Sequence, residues 1–337
     1  MDAINARKAW ADTSYSGVNI TSALGSFQSS FSFTEVAGGG SDSVSITVID
    51  RDGLWISSWF PTNKDHISAS IHVQDWYAPG DGYALDCGEF TIDDVSASGA
   101  PTKLSIGAVS APADTGFSET KREKTWEGVS LQQVAQEIAG NSGILLEYYG
   151  SEIPIKSLEQ SDTDSAFLKK LCEDYGYSMK IYSGKLVIFD REEFKKKGAV
   201  RTISKAEMKS WSYNETLAGT YTGVKFSYTD PFSGSDIVYK AGTDERLLTE
   251  SGKADSWADA ELKAKAALNN KNHGSTSMTV QLMGMPGISA GVNVQISGIG
   301  RPDGKYYVDE VTHNVTGSGY ATSLKLSKCE LEEVWTR

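Results

Sequence analysis

Alternation of apolar and polar residues with a period of two dominates the first hundred positions of this chain. Ser29-Ser30-Phe31-Ser32-Phe33 and Ser43–Ile49 alternate cleanly, and the run from Asp65 to Gln74 sets Ile67, Ala69, Ile71 and Val73 on one face. Such spacing predicts half-buried strands of an antiparallel β domain. Between the first two runs, Gly38-Gly39-Gly40-Ser41 reads as a flexible hairpin tip. The period changes after Pro112. Ser130-Leu131-Gln132-Gln133 has the form of a capping box, Leu131, Val134, Ala135 and Ile138 then share a helical face, and Gly140 is the expected stop. A second helix is predicted over about 163–175, burying Phe167, Leu168, Leu171, Cys172 and Tyr175, with Gly176 behind it. A hairpin follows at once: Tyr177–Tyr182, a Ser183-Gly184 turn, then Lys185–Phe189. Strand patterning resumes at Thr202. One Ala-rich helix over about 256–269 interrupts it, with Asp259/Lys263 and Glu261/Lys265 at favourable spacing. Its apolar stripe is narrow, which predicts a helix lying on a surface or against a neighbour.

Two strands far apart share one pattern. Gly88-Glu89-Phe90-Thr91-Ile92-Asp93-Asp94-Val95 and Gly304-Lys305-Tyr306-Tyr307-Val308-Asp309-Glu310-Val311 both read Gly, any residue, aromatic, any residue, β-branched, Asp, acid, Val. Each runs through a small polar turn into another alternating segment, Lys103–Ile106 in the first copy and Ser323–Leu326 in the second. The repeat-related positions are Gly88, Phe90, Ile92, Asp93 and Val95 against Gly304, Tyr306, Val308, Asp309 and Val311. So wide a spacing implies two related β domains rather than a solenoid. The division expected is 1–115, 116–198 and 199–337: two β domains flanking an α/β insert, the second carrying the helix near 256–269.

Composition narrows the function classes. The chain has 337 residues, with 39% hydrophobic and 23% charged, the balance of a folded protein. Its 33 Gly against 8 Pro suit strands and tight turns. The formal net charge is −12, and the only basic cluster is Lys195-Lys196-Lys197, which argues against tight or sequence-dependent nucleic-acid binding. No apolar run reaches the length of a membrane span and the N-terminal residues carry no signal-peptide pattern, so no membrane anchor is expected. Cys87, Cys172 and Cys329 are scattered and read as reduced thiols of a protein made in the cytoplasm.

No motif carries convincing chemistry. Gly287-Ile288-Ser289-Ala290-Gly291 matches the serine-hydrolase elbow, but a strand follows it where the elbow needs a helix. Gly298–Gly304 suggests a phosphate loop with no helix behind it, so a hairpin turn is expected. Asp50-Arg51-Asp52-Gly53 opens like a calcium loop, yet Pro61 stands where the twelfth ligand belongs. His66, His72, His273 and His313 have no metal-ligand spacing, and the acidic pairs Asp93-Asp94 and Asp309-Glu310 occupy matching places in the repeat. No catalytic, cofactor-binding or metal residue is assigned, and no enzymatic activity is expected.

The segment Gly287–Gly298, followed by Asp303-Gly304-Lys305-Tyr306-Tyr307-Val308-Asp309-Glu310-Val311-Thr312-His313, resembles the phage late control D protein family, the hub proteins of contractile-tail baseplates. Asp162–Leu171 with Tyr175-Gly176-Tyr177, and Gly88-Glu89-Phe90 with Ile92-Asp93, are similar to other parts of that family, so the resemblance runs from about 14 to 327. The pattern also resembles hubs of phage-tail-like bacteriocins and the N-terminal part of type VI secretion spike proteins. The resemblance implies a mainly β chain with an α+β insert, in which two tandem tube-type β-barrels flank a small α/β domain. It implies a homotrimer that joins a sixfold tail tube protein to a threefold spike protein, among other baseplate proteins. Tape-measure protein, and in a phage the DNA, would pass through its lumen without specific binding. An acidic lumen would favour such passage. A cell-wall-binding or cell-wall-degrading tail component is the alternative, motivated by abundant Tyr and Trp.

Overall fold

The computed structural model describes residues 6–25, 27–110, 116–231 and 233–329. The expected change of pattern at Pro112 lies outside the described residues. The first part comprises β1 (Lys8–Tyr15), β2 (Val18–Asn19), α1 (Thr21–Gly25), β3 (Gln28–Val36), β4 (Ser43–Ile49), β5 (His66–Gln74), β6 (Gly82–Ser98) and β7 (Lys103–Val109). Next come β8 (Lys124–Ser130), α2 (Leu131–Asn141), β9 (Leu145–Tyr149), β10 (Pro154–Gln160), α3 (Asp164–Asp174), β11 (Tyr177–Tyr182), β12 (Lys185–Asp190) and α4 (Arg191–Lys196). The last part holds β13 (Ala199–Ser204), β14 (Met208–Glu215), β15 (Gly223–Thr229), β16 (Asp236–Gly242), β17 (Leu247–Ser251), α5 (Trp257–Asn272), β18 (Thr276–Met283), β19 (Asn293–Ser297), β20 (Gly304–Thr316) and β21 (Gly319–Lys328). The chain is mainly β with few helices.

One sheet of thirteen strands runs through both β regions in the order β14-β18-β21-β20-β3-β4-β7-β6-β5-β1-β2, with β13 on β19 and β19 on β20. Two separate barrels were expected; among the described residues no closed barrel is found. The physical reason is the antiparallel pairing of β20 with β3, from Glu310↔Val36 to Thr316↔Ser30, which spends the edges that would otherwise close each half. Two hydrophobic cores lie on one side of this sheet. One gathers Phe31, Phe33, Ile46, Ile71, Phe90, Ile92 and Leu104. The other gathers Val280, Leu282, Val294, Tyr306, Val308, Val311 and Leu324.

The insert follows its sequence closely. The Ser130 hydroxyl accepts the Gln133 N–H at 3.3 Å and the Gln133 side chain accepts the Ser130 N–H at 2.8 Å, the capping box its spacing predicts. Thr163 caps α3, whose Leu168, Leu171 and Cys172 are buried, and β11 pairs with β12 from Tyr177↔Asp190 to Tyr182↔Lys185. The Gly38–Ser41 tip is docked rather than free. Gly39 N–H donates to the Met179 carbonyl at 2.9 Å, and a Cβ on Gly38 would sit 2.8 Å from the Ser178 Cβ, so the close approach to β11 requires glycine.

A fourth core was not anticipated. β15 pairs antiparallel with β16 and parallel with β17, and α5 lays Ala260, Ala264 and Leu268 onto Val224, Phe226 and Leu248. The narrow stripe of α5 is therefore covered by this chain's own three-stranded sheet. Small alanines suit it, because they let the helix approach the strands closely.

Candidate assembly interface

β6 and β20, which carry the matched sequences, share several local features. β6 pairs with the preceding strand β5 up to Thr91 and with the following strand β7 from Thr91 on, while β20 pairs with the preceding β19 over Gly304–Tyr307 and with the following β21 from Tyr306 to Thr316. β6 carries a register shift between Ile92 and Asp94 against β7, and β20 carries one between Val308 and Glu310 against β21. Asp93 and Asp309 are thus the extra residues of two bulges. Gly88 (φ +93°) and Gly304 (φ +146°) both lie in the backbone region glycine favours. Phe90, Ile92, Tyr306 and Val308 are buried in their two cores, and Val95 and Val311 face those cores beyond the bulges.

The likeness extends to strands that the sequence did not single out. β3 shifts register between Gln28 and Ser30 against β4, and β14 shifts between Met208 and Ser210 against β18. Phe31 and Phe33 oppose Ile46 and Val44, while Trp211 and Tyr213 oppose Val280 and Met278. Sequence comparison missed this pair because only the bulge and the aromatic spacing are shared; the signal was Phe-x-Phe against Trp-x-Tyr.

Between the halves, the β20–β3 ladder is locked by side chains. Phe33 stacks on His313 with ring centroids 6.0 Å apart, and the His313 Nδ1 lies 2.6 Å from the Tyr320 hydroxyl and 3.3 Å from that of Thr322. Burial pushes His313 down to about 4, so the ring is neutral at physiological pH. The Trp76 indole donates to the Gly284 carbonyl at 2.7 Å, tying the first β region to the second. Glu35 joins three regions at once, since its carboxylate accepts from the Ala290 N–H at 3.1 Å and from Lys180 Nζ of the insert at 3.2 Å. Lys180 also lies 3.5 Å from the fully buried Asp42, whose carboxyl burial raises to about 6 in spite of the lysine.

The opposite face of the sheet is paved with small polar side chains. One row across the ladder reads Gln281, Ser323, Thr312, Thr34, Ser43, and the next reads Ala321, Asn314, Ser32, Ser45, Gly107. The Thr34 and Thr312 hydroxyls meet across the junction at 3.2 Å.

The motifs set aside in the sequence lie in turns. Ser289 sits in the β18–β19 loop, and the Asp303 carboxylate accepts the N–H groups of Gly298, Ile299 and Gly300, closing a hairpin loop. Asp50 accepts the Ile56 N–H at 2.9 Å. The lysine cluster ends α4: Lys195 pairs with Glu192 at 3.0 Å and Lys196 with Glu193 at 2.8 Å. His72 stacks on Trp10 and lies 3.2 Å from Asp12; His273 pairs with Asp309 at 2.9 Å. Among the described residues no cluster of His, Cys, Asp or Glu could hold a metal ion, and no helix is long and apolar enough to cross a membrane.

Comparisons with known proteins agree with this architecture. A family model described as YQBQ-like matches residues 164–327. The chain is 24% identical over 299 residues to the probable baseplate hub protein of Escherichia phage 186, covering 72% of this chain and 75% of that protein. It is 25% identical over 296 residues to the probable baseplate hub protein of Escherichia phage P2, covering 73% and 76%. Among solved structures, a tail protein from Neisseria meningitidis MC58 is similar at a TM-score of 0.70 and 14% identity, covering 97% of this chain and 98% of the other. The chain is a relative of phage baseplate hub proteins, as its sequence led one to expect.

Proposed function

We propose that this chain is the structural hub of a contractile phage-tail or tail-like baseplate, a homotrimer adapting a sixfold tube to a threefold spike. The observation that carries the proposal is the duplicated strand plan, β3-β4-β7-β6 against β14-β18-β21-β20, with bulges at matching places. A chain with two like halves presents six like units in a ring of three, while keeping true threefold symmetry for whatever binds below. The relatives named baseplate hub protein support the same role. In that ring each half would complete a tube-type barrel, and the hydroxyl-paved face would line the channel through which tape-measure protein and DNA pass. The matched strands Gly88–Val95 and Gly304–Val311 would then be equivalent walls of the two halves, within three domains divided near 115 and 198. Assembly into the baseplate would follow synthesis in the bacterial cytoplasm. No catalytic role belongs to this reading. Native mass spectrometry over a concentration series tests it: a three-chain species is expected, and a stable dimer would overturn it.

A further inference from the structure

Two of the open strand edges of the large sheet, among the described residues, are counterparts of edges that are closed. Beyond Ile92, β6 pairs with β7 on one side only among the described residues. Its counterpart β20 pairs on both sides, with β21 and with β3. At the far end of the sheet, β14 pairs among the described residues with β18 alone, whereas its counterpart β3 pairs with both β4 and β20. The junction present inside the chain is therefore missing once, with one partner, β14, at the end of the sheet and the other on the stretch of β6 that β5 does not reach.

The apolar surface agrees. Phe31 and Phe33 of β3 are 0% and 2% exposed. Trp211, at the place of Phe31 and directly opposite the buried Val280, is 40% exposed, and Tyr213 beside it is half-exposed. Both aromatics stand on the core side of the sheet but outside the buried clusters of the described residues. The edge of β1, which lies beyond β6 and β5 in the sheet, packs beside β20 and β21.

We infer that β6 of one copy pairs antiparallel with β14 of a second copy in the register that β20 and β3 use within the chain. Transferring that ladder places Asp94 opposite Thr216, Val95 opposite Glu215, Ser96 opposite Asn214, Ala97 opposite Tyr213 and Ser98 opposite Ser212. Glu215 takes the place of Glu35, and the Ser96–Asn214 pair takes that of Thr312 and Thr34, whose hydroxyls meet within the chain. Because the two edges differ, the contact is head-to-tail and propagates around a ring instead of ending at a pair. The inference rests on the proposed ring and adds the surfaces and register that close it.

Cysteine cross-linking tests it on the full chain. Directly opposed residues of an antiparallel pair have Cα atoms about 4.5–5.5 Å apart, within disulfide reach, while partners displaced by two residues lie about 7–8 Å apart. Ser96 and Asn214 are exposed, so substitution should leave the fold intact. Under mild oxidation the S96C/N214C protein is expected to form covalent two- and three-chain species at least tenfold faster than S96C/S212C. T34C/T312C should close within one chain and run as a monomer, confirming the template. A three-chain species by native mass spectrometry with no preferential S96C/N214C cross-link overturns this pairing and leaves the ring standing. A chain that stays monomeric, with neither double variant linking, overturns both.

Discussion

Asp93 and Asp309 are each the extra residue of a β-bulge, five positions after a positive-φ glycine, yet their surroundings differ. Asp93 is exposed. The Asp309 carboxylate accepts from the Ser327 hydroxyl and lies 2.9 Å from His273 Nε2, while its carbonyl accepts the Ala37 N–H at 2.8 Å. Asp309→Ala is expected to lower unfolding free energy by about 1–3 kcal/mol, the usual cost of leaving such partners unsatisfied. Asp93→Ala should fall within about 0.5 kcal/mol of the parent, as for an ordinary surface change. Urea unfolding of the two variants decides this, and equal losses would show that the bulge itself, not the local ties, sets the role of Asp309.

Deleting either aspartate is a harsher test of the bulges. Without Asp309, Val308 and Glu310 become neighbours in an unbulged ladder, and because Val308 already opposes Leu326, Glu310 Lys325 and Val311 Leu324, the residues beyond the deletion keep their faces. Val311 and His313 stay on the core side and Thr312 on the polar face, and what is lost is the local bend and added twist of the bulge. The deletion is expected to yield a soluble, cooperatively unfolding chain, less stable than Asp309→Gly, which keeps the extra residue. Failure of the deletion to fold, or a urea midpoint no lower than that of Asp309→Gly, would refute the argument.

Much of this plan was legible in the sequence, and the exceptions have physical reasons. Phe90 and Tyr306 point to the buried side because alternation fixes the face of a strand. The insert was readable because its cap at Ser130, its glycine stop at Gly176 and its turn at Ser183-Gly184 are local signals. The β20–β3 junction was not. Thr312 and Thr34 look like any solvent-facing residues, and nothing in a polar row says which strand lies beside it. The small sheet under α5 escaped because the parallel β15–β17 pair joins strands that are not a hairpin, and because the covered helix face is made of alanine.

Glu35 holds the first β region, the insert and the second β region together, with the side chains of Glu35 and Lys180 only 13% and 12% exposed. Removing one member of a buried pair leaves the other charge without its partner, a change that costs about 3–5 kcal/mol. Glu35→Ala should approach that figure. Lys180→Met/Glu35→Leu, which removes both charges, should recover a substantial part of the loss even with Asp42 present. A double variant no better than the single one would mean that the Ala290 contact, not the ion pair, is what matters.

Asp42 and His313 predict opposing pH dependence. Burial raises Asp42 from 3.8 to about 6, so its contribution to stability is present in full below about pH 4 and is lost as pH rises through 6. Burial lowers His313 from 6.5 to about 4, so its contribution is present above about pH 6.5 and is lost as pH falls toward 4. Each amounts to roughly 3 kcal/mol, since a tenfold change in proton affinity is worth about 1.4 kcal/mol. Between pH 6.5 and 4 the two offset one another. Asp42→Asn should therefore steepen the loss on acidification, and His313→Gln should reverse it into a gain. Urea midpoints at pH 4.5 and 7 check both signs, and unchanged slopes would disprove them.

The polar face of the sheet carries the last prediction. On the strands from β14 to β6 its charged positions include Lys103 and Asp94 together with the Lys325–Glu310 pair, which lie 2.9 Å apart, among a field of Ser, Thr, Asn and Gln. The acidity of the chain is thus not concentrated on this face. A wall of short neutral hydroxyls offers phosphates neither cations to bind nor a strong field to repel them, so passage along it would be nearly free of adhesion. Ser45→Lys with Thr279→Lys should turn the face into an anion-binding surface, and a short DNA duplex should then be retained with a steep dependence on salt. Ser233→Lys with Ser235→Lys adds the same charge at exposed positions near β16 and should leave DNA binding close to that of the parent. Fluorescence anisotropy at low and moderate salt separates the two. Equal retention by both variants would mean that the hydroxyl face does not enclose the duplex, and tight retention by the parent would contradict a low-adhesion wall.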